Sequence, residues 1–206
     1  MAATVTRTDR RRERTRARLM AAGRALITEK GVAGLRIGEI TDRADVALGS
    51  FYNHFESKEE LVDAVVGESL EALAESVAGA DVDLAEIDPA EVVAAAIRRF
   101  VRLADDDPDF AQLCVHLNHA DTVFAAAVQP YARFALQRAI DAGRLDTPDV
   151  DVSLTTIMGG SLALMRAVVD GEVPAGAADA YAELVLRSLG LPPAEARDVA
   201  SRPLRA

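Results

Sequence analysis

The chain has 206 residues, half of them apolar, with one cysteine and no tryptophan. That length supports one large or two small domains with ample core, and the lone Cys114 excludes a disulfide framework and a multi-thiolate metal site and fits a reducing cytoplasm. The net charge of −10 is uneven, because residues 1–58 hold 12 basic against 7 acidic residues while residues 59–206 carry −15, so a basic head that can meet a polyanion precedes an acidic body.

Alanine, leucine, arginine and glutamate recur and β-branched runs are short, which predicts an all-α chain. The Arg-rich start has no apolar segment behind it, so no signal peptide is expected. Nor is an apolar run of about 18 residues expected, the length a membrane span needs. Seven arginines precede Leu19, and an amphipathic helix then runs through Leu19, Ala22, Leu26 and Ile27 to a stop at Gly31. A second helix fits Ile37 to Ala44, with Ile37, Ile40 and Ala44 on one face. The segment ADVALG reads as a tight corner in which Asp45 accepts positive φ. A third helix is expected from about Leu48 to Phe55, and Ser57 with Glu60 forms a capping box that starts a fourth, running to about Ala78.

Residues 48–61, LGSFYNHFESKEEL, concentrate Phe51, Tyr52 and Phe55 in a chain with six Phe and three Tyr. Two short helices across a tight turn, behind a longer one, make a helix-turn-helix, which presents the start of its second helix to the DNA major groove. Phe51 and Phe55, four apart, anchor that helix from beneath. Tyr52 and His54 project to its flanks, where they can hydrogen-bond phosphates. Gly49, Ser50 and Asn53 face the groove, Gly49 holding no side chain between backbone and bases. Lys58, in the first turn of the next helix, joins the free N–H groups there in receiving a phosphate.

The segment RIGEITDRADVALGSFYNHFESKEEL resembles the DNA-binding segment of TetR-family transcriptional regulators, over residues 15–66. The resemblance implies phosphate contacts by Tyr52, His54 and Lys58 and places Ser50 beside base or backbone. It departs from the family pattern at Asp45, usually glycine, and at Ala47, usually serine, where a cap worth ~1 kcal/mol is missing. Leu35-Arg36 replaces a Thr-Thr pair, so Arg36 becomes a phosphate-contact candidate. Leu48 stands where a polar residue is common and either tucks under Phe51 or meets a thymine methyl.

Beyond a linker at ADVDLAEIDPAE, helices are expected at roughly 90–104, 108–119, 121–128, 130–142, 150–170 and 177–190, with Pro130 starting, breaking or kinking one. The tail from Pro192 is expected to be frayed or a short helix. The fold class is thus all-α. A three-helix helix-turn-helix DNA-binding domain with its basic arm (1–58, turn-helix core about 37–56) precedes a helical ligand-binding and dimerisation domain (59–206). The resemblance implies a homodimer reading a palindromic duplex operator and responding to a small apolar effector, most simply as a repressor. For the dimer interface, Leu154, Ile157 and Ser161 form a stripe, Gly159 and Gly160 permit close approach, and Leu184 and Leu186 supply a second helix. For a pocket, Phe100, Leu103, Phe110, Leu113, Cys114 and Leu117 are candidates, as are Phe124, Tyr131, Phe134, Met158 and Met165.

CVHLNHAD places His116 and His119 three apart, a spacing compatible with a metal or a polar pocket rim. Cys114 and His116 diverge on a helix and no glutamate lies between the histidines, so no metal and no cofactor are expected. No Gly-rich phosphate loop, nucleophile elbow or carboxylate pair supports an enzyme. An activator of the same fold, a helical enzyme and a membrane-surface adaptor remain the alternatives.

Overall fold

The computed structural model describes residues 7–78, 87–117, 119–174 and 176–204, among which there are ten α-helices and no strand. The expected linker at residues 79–86 lies outside the described residues. The chain divides into two compact units, one ending at Val66 and the other beginning at Gly67.

In the first unit, α1 (Arg7–Lys30) buries Leu19, Met20, Ala22 and Leu26 and ends at Gly31, whose φ of 70° only a residue without Cβ adopts freely. α2 (Ile37–Ala44) buries Ile40, Thr41 and Ala44, and Thr41 satisfies its buried hydroxyl on the Gly38 carbonyl at 2.8 Å. The corner follows as expected, with Asp45 at φ 51°. Arg18 donates to the Asp45 carbonyl at 2.8 Å and to its carboxylate at 3.0 Å, fastening the corner to α1. α3 is shorter than its sequence pattern predicts, Leu48–Phe51. The coil nevertheless persists to Phe55, because the His54 and Phe55 N–H groups both donate to the Phe51 carbonyl, at 2.9 and 3.0 Å. α4 (Lys58–Ala78) begins at Ser57, whose hydroxyl accepts the Glu60 N–H at 3.1 Å, while the Glu60 carboxylate takes the Glu56 N–H. Within this unit Leu61 lies against Gly23, where a Cβ would meet its Cδ2 at 2.5 Å.

In the second unit, α5 (Pro89–Asp106) and α6 (Pro108–Val115) start at Asp88 and Asp107, whose carboxylates accept the Ala90 and Phe110 N–H groups at 3.0 and 3.1 Å. α7 (Ala120–Asp141) corrects one expectation, since Pro130 does not divide it. Pro130 removes the N–H that would bond Ala126, but both residues are exposed, so water can satisfy the freed carbonyl. α8 (Val150–Val169), α9 (Ala177–Ser188) and α10 (Pro193–Ser201) complete the body. The core joins α5, α7, α8, α9 and α10 through Ile97, Leu136, Leu154, Leu186 and Val199 among others. Arg98, almost wholly buried, donates to Asp179 at 2.7 Å and to the Arg202 carbonyl at 2.5 Å, tying α5 to α9 and the C-terminal segment.

α8 corrects a second expectation, since by length and composition it could cross a membrane, with a mean hydropathy of 1.5 over its apolar window. It packs instead on α5, α6 and α7 through Leu154, Met158, Leu162 and Met165. Only 28% of that window is buried within the subunit.

Candidate DNA-binding and ligand-binding sites

The helix-turn-helix presents a polar rim on an aromatic base. Phe51 is fully buried, its ring edge-on to Tyr52 at 5.5 Å and tilted against Phe55 at 5.7 Å. That anchorage leaves Tyr52 57% and Leu48 54% exposed, so Leu48 does not tuck under Phe51 and is free to meet a ligand. Gly49 has nothing within 4 Å of an added Cβ, and Asn53 and Arg36 are exposed. Ser50 and His54 are half-buried, and Lys58 is partly buried with Glu59 3.8 Å away. Neither Arg36 nor Ala47 supplies a side-chain cap to the helix it precedes.

The sequence reading of this site missed the arginines of α1. Arg12 donates to the Asn53 carbonyl at 3.3 Å, and Arg16 stacks over the Phe55 ring at 5.2 Å. Burial first, then these two guanidinium groups, hold the His54 imidazole below its ordinary pKa of 6.5. Only a pairing across 41 residues reveals this; the sequence signal was limited to charge density.

In the body, a cavity of about 50 Å³ is lined by Phe100, Phe124, Tyr131 and Met158, with Ala74, Ala96, Ala132 and Ala135 among the small residues completing it. Ile157 and Ser161, expected at the dimer interface, both line this cavity, Ile157 being half-buried. Ser161 and Tyr181 both donate to the Ile157 carbonyl, at 2.8 and 2.9 Å. Burial pushes the Tyr181 phenol upward in pKa, opposed by the neighbouring Ser161 hydroxyl. An adjoining groove of about 450 Å³ shares Phe124 and Met158 and adds Asp121, Gln129, Thr155 and Gly159.

Several expected pocket residues lie elsewhere. Phe134 is 57% exposed on the outer face of α7. Leu103, Phe110, Leu113 and Leu117 do not line the cavity, and Cys114 and Met165 are buried in packing away from it. Burial drives the Cys114 thiol up to about 12, which leaves it unreactive. His116 and His119 are exposed at the α6–α7 connection, and the His116 Nδ1 lies 2.9 Å from the Gln112 carbonyl.

The interface candidates divide in the same way. Leu154, Ser161 and Leu186 are buried inside the subunit and have no area to offer a partner. Gly160 is needed internally, because a Cβ there would stand 2.9 Å from the Tyr181 Cζ and closer still to its hydroxyl. Leu184, 62% exposed, and Gly159, open beyond its Cα, do face outward, joined by Val152 at 63%.

These features define a class of helix-turn-helix regulator with an all-helical body. Residues 19–65 match the bacterial regulatory proteins of the tetR family, and residues 88–202 match the tetracyclin repressor-like C-terminal domain. The chain belongs to the tetR family of transcriptional regulators, whose members bind operator DNA and act as dimers with small-molecule effectors. The crystal structure of RolR in complex with resorcinol is 33% identical, covering 96% of this chain and 98% of that one with a TM-score of 0.83. RolR without ligand is 32% identical, covering 92% and 98%, with a TM-score of 0.77. The HTH-type transcriptional repressor DhaR from Mycobacterium sp. (strain GP1) is 43% identical over 53 residues, 26% of this chain and 27% of that protein's length. Thermus thermophilus FadR in complex with lauroyl-CoA, 20% identical over 86% of this chain and 96% of that one, shares the fold with a TM-score of 0.67.

Proposed function

We propose that the protein is a cytoplasmic homodimeric repressor that reads a palindromic operator and releases it when a small phenol occupies the α5–α7–α8 cavity. The observation that carries this reading is the cavity itself, apolar and aromatic except for the Ser161 and Tyr131 hydroxyls. The similarity to RolR in its resorcinol complex supports the ligand class.

Function follows from the cavity's small size. At about 50 Å³ it is too tight for an aromatic ring, which needs roughly 150 Å³. A phenol must therefore select a wider arrangement of α5, α7 and α8, which the thioether of Met158 and the alanine lining can accommodate. Only this preference for the wider state, not total affinity, can shift the protein away from DNA. The ring would stack among Phe100, Phe124 and Met158, and a ligand hydroxyl would donate to Ser161 Oγ, whose own proton is committed to Ile157.

On DNA, Tyr52, His54, Lys58 and Arg36 take phosphates, while Leu48, Gly49, Ser50 and Asn53 face base edges. The outward faces of α8 and α9, with Val152, Gly159 and Leu184, meet the second subunit. The apolar area that α8 leaves uncovered supports this. Calorimetric titration with resorcinol and with fluorobenzene tests the ligand assignment. Ser161→Ala should weaken resorcinol about fivefold and leave fluorobenzene unchanged. Equal losses for both ligands, or no binding of either by the wild type, would exclude the phenol reading.

A further inference from the structure

We infer that the first three turns of α1 form a second DNA-contacting surface, which carries the protein onto duplex flanking each half-site. This rests on the DNA-binding reading above and extends it to a surface outside the helix-turn-helix.

From Asp9 to Arg14 the helix serves no core among the described residues. Asp9 through Arg14 are all exposed, Thr15 is half-buried, and continuous burial begins at Leu19. Within this stretch Arg10, Arg11 and Arg14 form no ion pair among the described residues, although like charges three and four residues apart destabilise a helix. Among the described residues no ion pair of these three side chains offsets that repulsion, as a polyanion would.

Geometry says which polyanion. α1 lies along the recognition unit and is pinned to both of its ends, by Arg18 on Asp45 at the opening corner and by Arg12 on Asn53 at the far end. Arg14 and Arg11 stand four and seven residues before Arg18 on the same helical stripe, thus ~6 and ~10 Å further along α1. Arg10, four residues before Arg14, widens the stripe. Asp9 lies off the stripe, and Glu13 borders it only beside Arg10, three residues before it. The arginine stripe thus extends from the recognition corner, where Arg18 meets Asp45, onto the first turns of α1, and the lowered pKa of His54 reflects the charge that Arg12 and Arg16 add beside it. A duplex seated on α3 continues past this end, and its backbone is the polyanion that a straight row of arginines fits.

The test compares wild type with Arg10→Ala/Arg11→Ala/Arg14→Ala, using an operator fragment selected by the protein from genomic DNA. Binding is followed by fluorescence anisotropy over a salt series, on a duplex trimmed to the half-sites and on one with flanks. The variant should lose about 2.7 from the log–log salt slope per bound subunit. Its operator-to-scrambled affinity ratio should stay unchanged, and the gain that wild type shows on the flanked duplex should vanish. The same substitutions to glutamine, which keep helix propensity, must give the same losses. An unchanged slope and flank gain would overturn the inference, as would an altered sequence preference. So would variants that lose binding to phosphatidylserine vesicles while keeping the DNA slope. A wild type without preference for the selected fragment would sink the operator reading, yet the slope on scrambled duplex would still decide the arginines' role.

Discussion

Gly160 and Gly159 are neighbours with opposite surroundings. A methyl at Gly160 would collide with the Tyr181 ring and hydroxyl, whereas one at Gly159 would meet nothing within 4 Å. Gly160→Ala should therefore cost about 1–3 kcal/mol of stability by denaturant melting, through displacement of Tyr181 and its bond to Ile157. Gly160→Ala on a Tyr181→Phe background should cost less, and equal costs would show that the hydroxyl is not the obstacle. His54 yields a pH prediction. In the free protein its pKa is lowered by burial, Arg12 and Arg16, and a phosphate placed beside it would raise that pKa. DNA binding then takes up a proton, so operator affinity should rise as pH falls from 7 into the range below the ordinary 6.5, and His54→Gln should flatten the profile. The free fold runs the other way: its depressed imidazole contributes stability above 6.5 that is lost as pH falls through the lowered value.

Among the helices, α5 depends on a single carboxylate. Asp88 accepts the Ala90 N–H and two bonds from Arg144, at 3.0 and 2.8 Å, and Arg144 also reaches Glu195 of α10 at 2.7 Å. The Arg144 guanidinium holds the Asp88 carboxyl below its ordinary 3.8, so this contribution is complete above that pH and is lost as pH falls through the lowered value. Asp88→Ala should destabilise the body by about 1–3 kcal/mol, measured by chemical denaturation. A cost near zero would mean that water replaces both partners. The Ser57–Glu60 capping box and the Asp45 corner were legible because each depends on neighbours within four residues, whereas the Asp88 cap was hidden in a stretch that reads as linker. The division of α7 at Pro130 was misread, since its cost depends on whether the freed carbonyl meets water, and spacing does not report that. The stripes of α8 were misassigned for a related reason. Leu154, Met158, Ser161 and Met165 face inward while Val152 and Gly159 face outward. An apolar helix with two such faces looks alike from either side in sequence. The outward pair with Leu184 is testable. Val152→Glu/Leu184→Glu should give monomer by sedimentation and abolish binding to a two-half-site operator, with helicity retained. A variant that stays dimeric would move the interface elsewhere.

The basic head and acidic body were visible as charge, and the fold class as pattern, but the cavity was not. It is assembled from α4, α5, α7 and α8, whose small residues Ala74, Ala96, Ala132 and Ala135 carry no chemical signal in sequence. Of the aromatic candidates, Phe100, Phe124 and Tyr131 line the cavity, while Phe110 and Phe134 do not. The proposed function couples this cavity to the DNA surface through a wider ligand-bound state. The measurement that tests it most directly is fluorescence anisotropy of the wild-type protein on its selected operator, with resorcinol titrated in. The account predicts salt-sensitive binding of one dimer per operator, preferred over scrambled duplex and released as resorcinol saturates, with release blunted by Ser161→Ala. Operator affinity that stays constant while calorimetry shows resorcinol bound would contradict it.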